Sequence, residues 1–186
     1  MLAIIRGLPG SGKSTFARHA FKNFNQLEAD QFHMIGDVYD YKIENASYAH
    51  MLCQARCARH LKNGWDVVVA NTFTTKFEIL PYVRMAIHFQ TTYEIYRMSD
   101  DFQWKSIHNV PDQVVEKMRS SLKKHHLSGE SVISVIDGNY ITLNGNQSFV
   151  ELNSIIDEIR PRPACMHCNQ LIPVLNQGEE CQICGR

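Results

Sequence analysis

The feature that most constrains this chain is a glycine-rich segment close to its first residue. The segment follows a short apolar run, and it reads Gly7-Leu8-Pro9-Gly10-Ser11-Gly12-Lys13-Ser14, which fits the phosphate-binding pattern G-x-x-x-x-G-K-[ST]. In such a loop, backbone N–H groups surround phosphate oxygens at the start of a helix. Lys13 then reaches the β- and γ-phosphates, and the Ser14 hydroxyl is placed to ligate Mg²⁺. The pattern therefore predicts a nucleoside triphosphate site formed by Gly7, Pro9, Gly10, Ser11, Gly12, Lys13, Ser14 and Thr15.

Strand-like and helix-like segments alternate along the chain. Apolar runs predict strands at residues 2–6, 27–29, 66–70, 91–98 and 131–137. Apolar residues at helical spacing predict helices at residues 13–24, 47–62, 77–89, 111–122 and 149–159. The remaining segments are less regular, with irregular chain at 31–44, a loop or lid at 99–110 and a turn-rich hairpin at 138–147. We expect Pro81 to lie in the first turn of its helix or to break it.

This alternation indicates an α/β fold, and with the P-loop it predicts a P-loop NTPase three-layer sandwich built on a parallel sheet. Pro161-Arg162-Pro163 marks a linker after the last predicted helix. We therefore expect a P-loop domain at residues 1–160 and a small tail at residues 161–186.

Composition limits where the chain works. Acidic and basic residues are equal in number, 19 of each, so net charge alone does not attract the chain to nucleic acid. No apolar run approaches the roughly 18 residues that span a bilayer, and we expect no membrane partner. Cys53 and Cys57 fall on the apolar side of a predicted helix as small buried residues. Unpaired thiols in a P-loop protein indicate a reducing cytoplasm, that of the host if the chain is viral.

Polar residues at two predicted strand ends are candidates for the acceptor half of the site. Asp30 follows the second strand at the carboxyl edge of the sheet, where a base for an acceptor hydroxyl is needed. Its alternative role is to cap the following turn. Asn71 and Thr72 end the central strand at the same edge. They either orient a phosphate or the attacking group, or begin a turn.

Four stretches together carry a resemblance to a known family. They are residues 7–15, Glu28-Ala29-Asp30-Gln31-Phe32, Val67-Val68-Val69-Ala70-Asn71-Thr72-Phe73-Thr74 and Ile107-His108-Asn109-Val110-Pro111. Over roughly the first 125 residues the chain resembles the polynucleotide-kinase branch of the P-loop kinases, phage-type ATP-binding proteins included. The resemblance implies transfer of the γ-phosphate of ATP to a 5′-hydroxyl of RNA or DNA.

The same resemblance implies roles for single residues. Asp30 holds the position of the family's general base, and cations of the lid point to Arg97, Lys105 or His108. Two positions depart from the family. His33 stands where an arginine usually grips the acceptor phosphate, and Ala70 precedes Asn71 where an acidic residue often lies. Asp30 is then the nearby carboxylate that we nominate for the water shell of the metal.

The tail carries a second motif, two C-x-x-C pairs separated by twelve residues. The four thiols belong to Cys165, Cys168, Cys181 and Cys184, and this arrangement predicts a tetrahedral Zn²⁺ site in a small zinc ribbon. Two disulfides or iron are the alternatives. Because the tail has few cations, we expect it to be structural or to dock a protein partner.

The sequence thus favours an ATP-dependent phosphotransferase that acts on a 5′-hydroxyl nucleic-acid end. A kinase of small-molecule hydroxyls is a second candidate, and a nucleotide-gated binding module without phosphoryl transfer is a third. A weak basic cluster either follows a polynucleotide backbone or forms a solvated helix face, and it comprises Lys117, Arg119, Lys123, Lys124, His125 and His126.

Overall fold

The computed structural model describes residues 1–35, 38–100, 110–127, 129–136 and 139–142. All of these belong to one compact unit, Met1–Ser148. The candidate residues Lys105 and His108, the predicted helix at 149–159 and the four cysteines of the tail lie outside the described residues.

A six-stranded sheet forms the centre of this unit. The strands within the described residues are β1 (Leu2–Arg6), β2 (Asn25–Leu27), β3 (Met34–Ile35), β4 (Val38–Tyr39), β5 (Val67–Ala70), β6 (Tyr93–Met98), β7 (Ser131–Ile136) and β8 (Asn139–Thr142). The order in the main sheet is β2-β5-β1-β6-β7-β8, and β3 pairs separately with β4. The first five strands of that order are parallel, whereas β8 runs antiparallel to β7. The predicted parallel α/β sheet is therefore confirmed. Of the hairpin predicted at 138–147, residues 139–142 form β8, which pairs with β7, and the other residues of that range lie outside the described residues.

Four α-helices connect the strands in the described chain. They are α1 (Lys13–Ala20), α2 (Ala46–Lys62), α3 (Lys76–His88) and α4 (Asp112–Lys124). The prediction for Pro81 is wrong, because Pro81 lies beyond the first turn of α3 and the helix continues through it. The adjoining Tyr82 and Val83 are buried, so tertiary packing maintains the helix despite the lost backbone hydrogen bond. At its start, the Glu78 carboxylate accepts hydrogen bonds from the backbone N–H and the hydroxyl of Thr75.

Alternation along the central strands gives the sheet two buried faces. Ala3 and Ile5 pack with Phe16 and Phe21, which follow the P-loop in and after α1. Leu2, Ile4, Val67 and Val69 point to the opposite face and are also fully buried. On that side α2 packs on β5 and α3 on β1. Helices on both faces make the three layers that the sequence predicted.

Helix α2 presents two free cysteines to the interior. Cys53 and Cys57 are completely buried, which confirms that they pack as small apolar residues. Burial raises the pKa of the Cys57 thiol to about 12. None of the helices in the described chain is both long and apolar enough to cross a membrane.

The largest difference from the predicted elements follows the second strand. Strand β2 begins and ends earlier than predicted, because Asn25 and Leu27 pair with Val67 and Val69 of β5. A 3-10 helix, Ala29–His33, comes next and is followed by the short β3–β4 hairpin and a second 3-10 helix, Ile43–Asn45. The segment predicted to be irregular therefore contains regular structure, and Asp30 lies within a 3-10 helix rather than directly after a strand.

Candidate functional site

The loop between β1 and α1 is shaped by its glycines. Gly10 and Gly12 adopt positive φ angles of 76° and 84°, which glycine adopts without strain. At Gly7 a Cβ atom would lie 2.8 Å from Ser11 Oγ and 2.9 Å from Met98 Cβ, so a larger residue does not fit. The N–H of Gly7 donates to the carbonyl of Thr72, 3.1 Å away, and joins the loop to the end of β5. The P-loop thus has its predicted strand–loop–helix context.

Lys13 begins α1 and lies between the loop and two carboxylates. Its Nζ donates to the Leu8 carbonyl at 2.7 Å. Burial lowers the pKa of Lys13 to about 8, while the negative charges of Glu28 and Asp30 act in the opposite direction. The amine is therefore close to both acids as well as to the loop, and it is mostly protonated at neutral pH.

Glu28 is the site residue that the sequence analysis missed. Its Oε2 accepts a hydrogen bond of 2.9 Å from Ser14 Oγ, the predicted Mg²⁺ ligand. Burial raises the pKa of Glu28, and the charge of Asp30 adds to this rise, while the Ser14 hydrogen bond and the charges of Lys13 and Arg18 oppose it. Asp30 is therefore not the one acid near the P-loop, and that expectation is corrected. The signal was the acid two residues before Asp30, which the prediction had placed inside the second strand, whereas β2 ends at Leu27.

Asp30 and His33 lie in the same 3-10 helix. Residues three apart in such a helix share one face, so His33 lies next to Asp30 on the same face of the helix. The His33 side chain is buried, and its ring centroid lies 4.9 Å from that of Tyr41. His33 is thus held against an aromatic ring at the position where the resemblance implies an arginine.

Asn71 is directed into the protein rather than into the loop. Its Oδ1 accepts a 2.8 Å hydrogen bond from the backbone N–H of Ala29, and its Nδ2 lies 3.9 Å from Cys53 Sγ. The side chain is buried. Asn71 therefore holds the first residue of the Asp30 helix, whereas the carbonyl of Thr72 holds Gly7.

Arg97 lies inside β6 rather than in a lid, and it belongs to a charged network beneath the P-loop. In the sheet it is the neighbour of Arg6, the last residue before the loop. Both arginines contact the carboxylate of Glu130, at 3.2 Å from Arg6 Nη1 and 3.0 Å from Arg97 Nε. The side chains of Arg6 and Glu130 are fully buried. Arg97 and Arg119 also pair with Asp100, at 3.5 Å and 3.1 Å.

Part of the predicted basic cluster is also engaged in ion pairs and hydrogen bonds. Arg119 contacts Asp100 and Glu116, and His126 Nδ1 lies 3.0 Å from Glu130 Oε1. The carbonyl of His125 accepts a hydrogen bond from Arg6. Arg119, His126 and the His125 carbonyl thus belong to the charged network around Arg6 and Arg97. The three lysines of the cluster are exposed on α4, and they are Lys117, Lys123 and Lys124.

The donors near Ser14 fit a hard cation. A hydroxyl and two carboxylates, those of Glu28 and Asp30, offer the oxygen ligands that Mg²⁺ prefers, directly or through water. Within the described residues, the buried Ser11 Oγ has no hydrogen-bond partner, as suits a loop that takes a polar ligand. The described part of the chain contains no cluster of three or more His, Cys, Asp or Glu residues suited to a metal.

Comparison with known proteins places this geometry among related folds. The family model described as AAA domain matches residues 2–125. An uncharacterized protein of Pasteurella multocida strain Pm70, PM0531, is 28% identical over 151 residues, which is 73% of this chain and 83% of that protein.

Two solved structures share the fold. One is a chain of the Pnkp1/Rnl/Hen1 RNA repair complex, with 22% identity, a TM-score of 0.54 and coverage of 66% of this chain and 44% of that one. The other is a putative kinase of Chloroflexus aurantiacus, with 16% identity, a TM-score of 0.50 and coverage of 86% and 96%. The present chain therefore spans less than half of the RNA repair protein. The fold is the α/β fold of P-loop kinases, with five parallel strands.

Proposed function

The chain belongs to the AAA domain family, and on that premise we propose that it transfers the γ-phosphoryl group of ATP to a hydroxyl group. The observation that carries the proposal is the grouping of Lys13, Ser14, Glu28 and Asp30 at one end of the sheet. The Ser14–Glu28 hydrogen bond and the influence of both acids on the Lys13 amine define this group. A phosphate loop beside two carboxylates has the donor charges and the base that phosphoryl transfer requires.

Each member of the group has a separate role. Asp30 takes the proton of the acceptor hydroxyl. The acceptor oxygen then bonds to the γ-phosphorus, and the bond from that phosphorus to the β–γ bridging oxygen breaks to release ADP. Lys13 balances the charge that develops on the phosphate oxygens. Mg²⁺, held by Ser14 Oγ with Glu28 in its surroundings, supplies further charge neutralisation when bound.

The acceptor that we propose is the 5′-hydroxyl end of a nucleic acid. The resemblance of four sequence stretches to polynucleotide kinases supports this choice. The fold shared with a chain of an RNA repair complex is consistent with it. Arg97, Lys105 and His108 were the expected phosphate cations, and of these Arg97 lies beneath the loop in contact with Glu130.

Labelled ATP tests the proposal directly. The protein is incubated with γ-labelled ATP and Mg²⁺, and with 5′-hydroxyl RNA, 5′-hydroxyl DNA or a panel of nucleosides and sugars. We expect label on an oligonucleotide, with the rate reduced about 10²- to 10⁴-fold in Asp30→Asn through loss of the base. Asp66→Asn is the matched control, because Asp66 lies at the opposite end of β5 and contacts the N-terminal amine.

The three candidate functions give different results in this experiment. Label confined to a metabolite identifies a small-molecule kinase. ATP binding with no labelled acceptor supports the nucleotide-gated binding module and overturns the proposal. An Asp30→Asn variant as active as the Asp66→Asn control removes Asp30 as the base.

For the tail we propose a structural Zn²⁺ site at Cys165, Cys168, Cys181 and Cys184, in a ribbon at residues 161–186 that docks a protein partner. The support is the spacing of the two C-x-x-C pairs. Metal analysis of freshly purified protein should find about one zinc per chain, and Cys165→Ser should lower this value. A zinc content near zero in the unmodified protein excludes the site.

A further inference from the structure

We propose that an aromatic platform beside Asp30, formed by Phe32, Tyr41, Tyr48 and Arg56, binds the terminal bases of a single-stranded acceptor by stacking. The inference rests on the proposed function and adds to it the way in which the acceptor is held. Its starting point is the exposure of two large rings next to the candidate base. The Tyr41 and Tyr48 side chains are 52% and 57% exposed.

Tyr41 is brought close to Asp30 by two local structures. Asp30 and His33 lie on one face of a 3-10 helix, roughly 6 Å apart along its axis at about 2 Å per residue. The β3–β4 hairpin then reverses the chain, and the N–H of Asp40 donates to the His33 carbonyl at 2.8 Å. The next residue, Tyr41, therefore rests with its ring 4.9 Å from the His33 ring. An exposed aromatic ring thus lies against His33, the residue that shares a helix face with the candidate base.

Helix α2 contributes the rest of the platform. Tyr48, Leu52 and Arg56 occur every four residues and form one ridge along the helix. At one end of this ridge the Arg56 guanidinium lies 5.0 Å from the centroid of the Phe32 ring. Phe32 belongs to the 3-10 helix of Asp30, against which α2 packs. The platform therefore draws a cation and aromatic rings from α2 and from the 3-10 helix that carries Asp30.

The chemistry of these residues selects a nucleic-acid strand. Every base presents a π face, and exposed aromatic rings beside a cation bind single strands without reading their sequence. The buried His33 ring supports the Tyr41 ring from within the protein, 4.9 Å away between centroids. The exposed Ile43 lies in the same segment, so a protein partner is the competing occupant that the experiment must separate.

The test compares two acceptors on the unmodified protein. One is a 5′-hydroxyl oligonucleotide, and the other is the same strand with its two 5′-terminal bases removed. Because stacking contributes about 5- to 100-fold in affinity per base, we expect the abasic acceptor to have a KM at least about 5-fold higher, with little change in kcat. In Tyr41→Ala the KM for the intact strand should rise similarly, and the difference between the two acceptors should shrink.

Two further variants isolate the ring of Tyr41. Tyr41→Phe keeps the stacking surface and should retain the KM of the unmodified protein. Trp65→Ala removes another exposed aromatic ring, just before β5 at the opposite edge of the sheet, and should also leave KM unchanged. If Tyr41→Ala does not fold, the comparison of intact and abasic acceptors on the unmodified protein still decides the matter.

The outcomes distinguish the platform from the proposed function. If both acceptors are phosphorylated with equal KM, the kinase stands and the platform is overturned, as it would be if a protein occupied this surface. If no oligonucleotide is phosphorylated, the proposed function fails. Fluorescence anisotropy then measures binding of the two strands. Preferential binding of the intact strand supports the platform, and equal binding overturns it.

Discussion

On the donor side of the site the charged groups are buried and paired, whereas on the acceptor side the prominent side chains are aromatic and exposed. Arg6 and Glu130 beneath the P-loop have no exposed side-chain surface, while Tyr41 and Tyr48 expose more than half of theirs. The two sides lie close together, because two consecutive residues just after β5 contact one side each. Asn71 contacts Ala29, and Thr72 contacts Gly7.

This difference corresponds to what we propose that each side binds, a triphosphate on the donor side and a nucleic-acid strand on the acceptor side. A triphosphate presents the same charges every time, so its site gains from groups that are held in place before it arrives. An acceptor strand varies from one base to the next, and flat exposed rings accommodate that variation. The rigidity of the donor side comes from buried charges, whose removal is costly because their partners are left without compensation.

The largest loss of stability is expected when Glu130, on the buried donor side, is replaced. Glu130→Ala leaves Arg6 and Arg97 adjacent without their shared carboxylate. We expect the free energy of unfolding to fall by about 3–5 kcal/mol, measured by urea denaturation. Glu116→Ala, which removes an exposed partner of Arg119, should lower it by less than about 1 kcal/mol. Equal losses in the two variants would show that the buried ion pairs stabilise the fold no more than an exposed one does.

A smaller but comparable effect is expected on catalysis at Lys13. Lys13→Met preserves much of the side-chain volume and removes the charge that faces the phosphates. Loss of one preorganised donor of this kind lowers kcat about 10²- to 10³-fold. Single-turnover transfer at saturating ATP measures it, with the exposed Lys62→Met as control. A variant that retains a tenth of the normal kcat would contradict the role given to Lys13.

A moderate effect of pH on ATP affinity is expected from the same lysine. Burial lowers the pKa of Lys13 to about 8, so the amine loses its proton as the pH rises through that value. ATP affinity should therefore be constant below pH 7, and above pH 8 it should weaken toward about tenfold per unit, with proton uptake on binding. Titration calorimetry between pH 6.5 and 9.5 tests this trend. In Lys13→Met this part of the pH dependence should be absent.

The smallest change in stability is expected on the acceptor side. Asp40→Ala removes an ion pair with Lys42 that is 3.0 Å long and partly exposed. Such pairs contribute about 0–1 kcal/mol, so the melting temperature should change little. High salt should reduce the difference in melting temperature between the variant and the unmodified protein, because salt screens exposed ion pairs. A loss as large as that of Glu130→Ala would mean that the hairpin segment is held as firmly as the P-loop.

Several parts of the fold are predictable from local sequence. The P-loop, the buried strand β5 and the helix α2 are confirmed close to their predicted positions, because each has a strong local pattern of glycines or apolar residues. The buried thiols of α2 follow from helical spacing alone. In each of these cases, residues close together in the sequence determine the local structure.

Other features depend on contacts between distant residues. Strand β2 is displaced because pairing with β5, 42 residues later, sets its register. This displacement left the hydrogen bond between Ser14 and Glu28 unpredicted. Arg6 and Glu130 are 124 residues apart, and no local pattern connects them. Arg97 was assigned to phosphates by its charge, yet Glu130 and Asp100 engage it in the folded chain.

The buried thiols of α2 also allow local opening of the fold to be measured by the rate of their alkylation. Cys53 and Cys57 have no exposed surface, and burial raises the pKa of both, so an alkylating reagent reaches them only when α2 separates from the sheet. Asn71 contacts both Cys53 and the first residue of the Asp30 helix. The labelling rate therefore reports how often α2 separates from the sheet next to Asp30. Mass spectrometry that resolves the alkylation of Cys53 and Cys57 from that of the tail cysteines thus times those openings.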